Sequence, residues 1–107
     1  MDNMSAPKDN EGKPQMSLLP LDVLSKLLVP AYEEGLQKYY RDSWRKGFDL
    51  NVLMDATLRH LTAFYYDKES YDKDTFKKYG IKKSHLGAAI FNIICMYDSS
   101  RRKNEDT

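Results

Sequence analysis

The stretch SHLGAAIFNIICMY, residues 84–97, sets Leu86, Ile90, Phe91, Ile93, Ile94 and Met96 behind a serine suited to cap a helix. It predicts the most buried of three long helices. A second helix is expected over residues 50–66, capped by Asp49 or Asn51, with Leu53, Ala56, Leu58, Leu61 and Phe64 at helical spacing. The first begins after Pro20 and carries Leu21, Val23, Leu24, Leu27, Leu28, Ala31, Leu36 and Tyr39. Pro30 predicts a kink or break near Val29, and Gly35 gives room for another backbone or a ligand. Between the last two helices, DKESYDKDTFKKYGIKKS is polar except for a turn of possible helix over residues 75–79. No segment alternates with the period of a strand. The fold class is therefore all-α: three main helices, the first kinked, in a small bundle.

The outer faces of such a bundle leave Tyr32, Tyr40, Tyr65, Tyr66 and Tyr97 to cover. That predicts completion by homo-oligomerisation, most simply a two-fold dimer of the four-helix type. The expected organisation is a flexible arm over residues 1–15, one helical domain over 16–98 and a solvated tail over 99–107.

A chain of 107 residues with net charge +1 admits one domain and disfavours nucleic acid or a polybasic membrane contact as partner. No apolar run approaches the roughly 20 residues that span a bilayer. Cys95 has no partner for a disulfide, and the start MDNMSAPKDNEGKPQ has no apolar core of a secretory signal, so the cytoplasm is the expected location.

The chemistry-bearing residues lie in four places. Arg59 and His60 sit between leucines in LRHL, either as the polar edge of an amphipathic helix or as a phosphate-binding fork beside a hydrogen-bonding or ligating imidazole. Asp67, Glu69, Asp72 and Asp74 crowd the following loop, a density of hard oxygens that suits Mg²⁺ or Mn²⁺. Four interleaved lysines make a solvated loop an equal reading. His85 opens the third helix, where an anion is favoured, and Asn92 would be a buried amide in need of partners. Finally KYYRDSWRKG, residues 38–47, gathers Lys38, Arg41, Arg45 and Lys46 around the only tryptophan, Trp44. This is a solvated loop or a landing place for something anionic and flat. Trp44 either stacks on a base or plugs the junction of the first two helices.

The order of these motifs resembles the phage dATP/dGTP diphosphohydrolase N-terminal-domain family, related to MazG-type all-helical nucleotide pyrophosphohydrolases. The family pattern runs GKPxxxLLP, GxxKY, NWRKG, RHLxAF, GExxDxE and HLxHAxxN. Here it reads GKPQMSLLP, GLQKY, SWRKG, RHLTAF, KESYDKD and HLGAAIFN, in register over residues 12–97. The resemblance implies water attack on the α-phosphorus of a purine (deoxy)nucleoside triphosphate, with release of pyrophosphate and a divalent Mg²⁺ or Mn²⁺ ion. It implies Glu69, Asp72 and Asp74 on the metal side, and His60 and His85 as catalytic candidates, His85 as ligand or acid/base group. Lys38, Lys46 and Arg59 would hold phosphates, Trp44 or Tyr39 would stack on the base, and Asn92 would contact the ligand. Glu33 and Glu34 are second-line candidates, by analogy with the helix glutamates of MazG enzymes.

Three departures stand out: Ser43 for asparagine, Lys68 for glycine, and Ala88 where the pattern has a second histidine. The stretch FKKYGIKK also lengthens the loop before His85. The alternative readings are a nucleotide binder impaired in turnover, such as a phage counter-defence sponge, and a helical partner-binding domain. If phage-encoded, the chain would act in the cytoplasm of a bacterial host.

Overall fold

The computed structural model describes residues 11–105. Of the arm expected over residues 1–15, residues 1–10 fall outside the described part, as do residues 106–107 of the tail.

Four helices build the fold: α1 (Leu21–Lys38), α2 (Leu50–Tyr65), α3 (Lys73–Tyr79) and α4 (His85–Glu105), with 3-10 turns at Met16–Leu18 and Ser43–Lys46. Among the described residues there is no strand, only an isolated bridge between Tyr71 and Ser84. The all-helical expectation holds, and α3 is the short turn foreseen in the polar loop.

Local chemistry sets the helix ends. Asp49, not Asn51, caps α2: its Oδ1 accepts the N–H groups of Asn51 at 2.8 Å and Val52 at 3.3 Å. Asp72 caps α3 in the same way, accepting from Asp74 and Thr75. Gly80, at φ +71°, ends α3 in the left-handed conformation and bonds back to the Phe76 carbonyl. Ser84 Oγ accepts the Gly87 N–H at 2.8 Å and starts α4. Pro30 lies inside a continuous α1 and does not break it.

Helices α2 and α4 run antiparallel. His60, late in α2, meets His85 at the start of α4, while Gly47, just before α2, lies beside Ser99. Helix α1 crosses α4 so closely at Gly87 that a Cβ there would run into the Leu27 carbonyl. This approach explains a correction to the expected core. The buried face of α4 is small and polar, made by His85, Gly87, Ala88, Ala89, Asn92, Cys95 and Asp98, while Leu86, Ile93 and Tyr97 are exposed. Two helices seated at short range select residues that let backbones near each other, so the bulky side chains fall on another face. On α2, likewise, Leu53 and Thr57 are buried and Leu58 and Leu61 are not.

Helix α4 also runs past Tyr97 to Glu105, through what the sequence presents as a solvated tail. Asp98 explains the extension. Its carboxylate accepts from Arg101 Nη2 at 3.1 Å and Arg102 Nε at 2.9 Å, one turn on, and pairs with Arg45 at 3.5 Å.

Two glycines separate packing from propensity. Gly87→Ala should lower unfolding free energy by about 1–3 kcal/mol, the usual cost of overpacking. Gly35→Ala, with nothing within 4 Å of the added Cβ, should leave stability unchanged or raise it by up to about 1 kcal/mol. Urea denaturation of both variants checks the contrast.

Candidate functional site

Glu69 and His85 stand sixteen residues apart, yet their side chains meet, because the chain between them closes on itself. The Asp72 N–H bonds to the Lys83 carbonyl at 2.8 Å, and the His85 N–H to the Ser70 carbonyl at 3.1 Å. These two bonds flank the Tyr71–Ser84 bridge and clamp the neck of an excursion that contains α3. The clamp sets Glu69, Asp72, Lys83 and His85 side by side at the end of α2.

A charged cluster forms there. Lys83 Nζ, buried, donates to Glu34 Oε1 of α1 at 2.6 Å and lies 3.8 Å from Asp72 Oδ2. Thr75 of α3 donates its hydroxyl to Glu34 Oε2 at 2.6 Å, and Lys38 pairs with the same oxygen at 3.6 Å. Burial alone would raise the Glu34 pKa, but the bonds from Lys83 and Thr75 and the charges of Lys83 and Lys38 outweigh it and hold the carboxylate below its ordinary range. In Asp72, burial is again outweighed, here by the capped N–H groups and by Lys83 and His60, and its pKa falls.

Beside this cluster the two histidines touch, Nδ1 to Nδ1 at 2.9 Å, and His85 Nε2 faces Glu69 Oε1 at 3.3 Å. Burial first, then Lys83 and His85, push the His60 pKa down to about 4, so this ring is neutral near pH 7. With both rings neutral, the Glu69 carboxylate, which can only accept, sets the tautomers. His85 Nε2–H donates to Glu69, His85 Nδ1 accepts from His60 Nδ1–H, and the basic lone pair is left on His60 Nε2. The two histidines, together with Asp72, also form a donor set. One ligand atom each from His60, Asp72 and His85 lies within 4.8 Å of the others.

The cluster opens into a cavity of about 390 Å³ between α1, α2 and α4, inside the range of about 300–1,000 Å³ common for small-molecule sites. Glu34, Lys38, His60, Lys83 and Asn92 give it polar lining, and Tyr32, Tyr39, Tyr40, Trp44, Phe48 and Phe91 give it aromatic walls. Trp44 stands edge-on to Tyr32 at 5.6 Å and to Phe91 at 6.4 Å, under the Arg45 guanidinium at 4.5 Å. It is therefore both a wall of the cavity and a packing element between α1 and α4.

Of the residues named from sequence, Lys38, Tyr39, Trp44, His60 and Asn92 line the cavity, with Ala88 among them. His85, Glu69 and Asp72 stand behind it in the cluster. Three lie elsewhere. Arg59 is exposed on α2, Asp74 is exposed in the first turn of α3, and Lys46 sits outside the lining, over the Tyr40 ring at 5.0 Å. Lys83 and Thr75 were missed. Lys83 sits in a run of lysines that reads as solvated, and only its position just before the helix start at Ser84 hinted that it turns inward. Glu34, held in second line, shares a helix face with Ala31 and Lys38.

The family model described as dATP/dGTP diphosphohydrolase, N-terminal, matches residues 4–107. No curated protein and no solved structure matches the chain.

Lys83→Met should cost about 3–5 kcal/mol of stability, because it strands the Glu34 carboxylate, whereas Glu34→Leu combined with Lys83→Met should recover most of the loss. Denaturation of the two single variants and the double variant measures the coupling. The pH dependence has a definite sign. His60 titrates at 6.5 when unfolded and at about 4 when folded, so the unfolded chain takes up the proton first. In chelator-treated protein, stability is therefore full above pH 6.5 and declines as pH falls toward 4. Glu34 and Asp72, both lowered, keep their contributions above their unfolded values of 4.5 and 3.8. His60→Gln should flatten the slope of stability between pH 6.5 and about 5.

Proposed function

The chain belongs to the dATP/dGTP diphosphohydrolase N-terminal family, and from that premise we propose that it binds a purine (deoxy)nucleoside triphosphate in the cavity between α1, α2 and α4 and hydrolyses it to the monophosphate and pyrophosphate. One observation carries this reading: a cavity of nucleotide size joins aromatic walls to a dense cluster of titratable groups. Flat aromatic faces suit a purine, and lysines suit phosphate oxygens.

The roles follow from position. Tyr39, exposed at the cavity rim, offers its ring to the base. Lys38 reaches phosphate from α1. Lys83 carries positive charge but is held by Glu34 and Asp72, so it sets the potential of the cavity and holds its shape. When no ion occupies the donor set, His60 Nε2 can accept a proton from the attacking water, while His85, oriented by Glu69, fixes the tautomer that leaves that lone pair available; a His60 that holds an ion gives up this role. Asn92 offers amide hydrogen bonds from the floor.

A divalent ion fits the residues present. His60, His85 and Asp72 would hold it, and a mixed nitrogen and oxygen set suits Mn²⁺ better than Mg²⁺. When bound, such an ion supplies Lewis-acid charge to phosphate oxygens. Asp74 stands apart from that donor set and has no part in it.

Ala88 favours a second reading. It is buried and lines the cavity where the family pattern places a histidine, which supports binding without efficient turnover. Incubation with each nucleoside triphosphate and Mg²⁺ or Mn²⁺, followed by separation of products, distinguishes the two. Monophosphate plus pyrophosphate from dATP or dGTP supports hydrolysis. Tight binding with nucleotide recovered intact supports the binder, and neither outcome sinks both readings. Tyr39→Ala should lose about 1–3 kcal/mol of nucleotide binding with the thermal midpoint unchanged, by analogy with base–aromatic stacking. His85→Gln should lower turnover by about 10²–10⁴-fold and leave affinity nearly intact.

A further inference from the structure

One wall of the cavity is not a regular α-helix. Tyr40, Arg41, Asp42, Ser43, Trp44 and Phe48 of its lining come from the connection between α1 and α2. Backbone N–H groups of Ser43, Arg45 and Gly47 bond to the carbonyls of Tyr40, Asp42 and Trp44 and shape that connection locally. The chain enters its 3-10 turn through Asp42 in the left-handed conformation, at φ 62°, and leaves it through Gly47 at φ 91°. A residue with a side chain is disfavoured in that region, so contacts with the rest of the molecule must hold the turn in place.

Those contacts run to α4. Gly47 lies beside Ser99, and Trp44 meets Phe91 edge-on at 6.4 Å. Arg45 lays its guanidinium over the Trp44 ring at 4.5 Å and turns Nη1 toward Asp98 Oδ1, 3.5 Å away. Among the described residues no other carboxylate pairs with Arg45. Phe91 and Asp98 stand seven residues apart, about two turns, and so share one side of α4. The first touches Trp44 directly, and the second holds the cation that covers it.

Asp98 is the fixed member of this arrangement. Its side chain is 9% exposed against 44% for Arg45, and Arg101 and Arg102 hold it from its own helix. A half-exposed arginine has many rotamers, and a buried carboxylate selects the one that lies flat on the indole. The same charges reach a second wall residue. Burial first, then Cys95, raise the Tyr32 pKa, with Asp98 adding to them and Arg45 opposing.

We propose that Asp98 is a positioning residue: by holding Arg45 over Trp44 it sets the aromatic wall, and with it the affinity of the cavity for its ligand. The consequence for a ligand rests on the nucleotide reading, whereas the consequence for the wall does not. Asp98 lies thirteen residues along α4 from His85, at the other end from the two histidines. Loss of the pair should therefore weaken binding and leave the chemical step alone.

Trp44 is the only tryptophan, so its fluorescence reports on the wall itself. Emission maximum and acrylamide quenching of the full chain test the proposal, with helical circular dichroism recorded alongside. In Asp98→Asn and in Arg45→Gln the emission should shift to the red and quenching should rise, with helicity retained. The dissociation constant for dATP or dGTP, or KM where turnover is seen, should rise about 10-fold at unchanged kcat, the usual loss when a supporting partner is removed. The double variant should match either single one within about twofold, because both act through one contact. Arg102→Gln takes away a partner of Asp98 but not Arg45, and should leave Trp44 and the affinity as in the wild type. If Asp98→Asn loses its helical signal, Asp98→Glu, which keeps the charge and displaces it, replaces it under the same criteria. Unchanged Trp44 signals in the Asp98 and Arg45 variants overturn the proposal. So do losses that add in the double variant, or an Arg102→Gln that reproduces them, which would reduce Asp98 to a support of the helix end. A wild type that binds neither nucleotide ends the purine reading, and the Trp44 signals then decide the wall alone.

Discussion

A carboxylate removed from water must have a cation, and in this protein that requirement is met by Glu34 and Lys83. Glu34 rises from α1. Lys83 comes from the neck of the loop before α4, and Thr75 of α3 closes the remaining oxygen. One ion pair thus joins three parts of the chain that otherwise have little reason to meet. It also fixes the cavity, because both residues line it and Asp72 and the two histidines are arranged around the same ammonium group. The low pKa of His60 is a further effect of that buried charge, added to the larger effect of burial. Removing the pair would therefore change the shape, potential and proton affinity of the cavity together.

Much of the fold was legible in the sequence because helix ends are local. Pro20, Asp49 and Ser84 mark starts by chemistry within one turn, and the structure uses each of them. Faces are not local. The apolar count of residues 84–97 says that α4 is helical and apolar, but which residues turn inward depends on how closely α1 and α2 approach. That approach selected Gly87, Ala88 and Ala89 over Leu86 and Ile93. The length of α4 was hidden for a related reason, since Asp98 draws Arg45 from a distant turn as well as its own neighbours.

The candidate site divides along the same line. Lys38, Tyr39, Trp44, His60 and Asn92 lie in motifs that stand out by residue type, and they share one cavity. Glu34, Lys83 and Thr75 carry no such mark: the first lies beside another glutamate, the second in a lysine run, the third in a polar loop. Glu34 is buried by its face of α1, and the clamp that brings residues 70–72 against 83–85 carries Lys83 and Thr75 toward it; that clamp is made of backbone groups on which side-chain pattern is silent. Asp74 shows the converse. It belongs to the same acidic run as Glu69 and Asp72, but the helical turn that Asp72 caps carries it outward.

The reach of the Glu34–Lys83 contact, across 49 residues, bears on the order in which the molecule comes apart. Helices α2 and α4 meet through a shorter closure, 25 residues between His60 and His85, and the clamp within that loop is shorter still. Chain entropy favours the shorter closure, by about 0.6 kcal/mol for each doubling of length, so the α2–α4 hairpin can close from its loop end before α1 docks on it. Undocking is the reverse: α1 can leave while the α2–α4 hairpin persists. The cavity lies along that seam, so a ligand that fills it binds the docked form and acts as a latch between α1 and the hairpin.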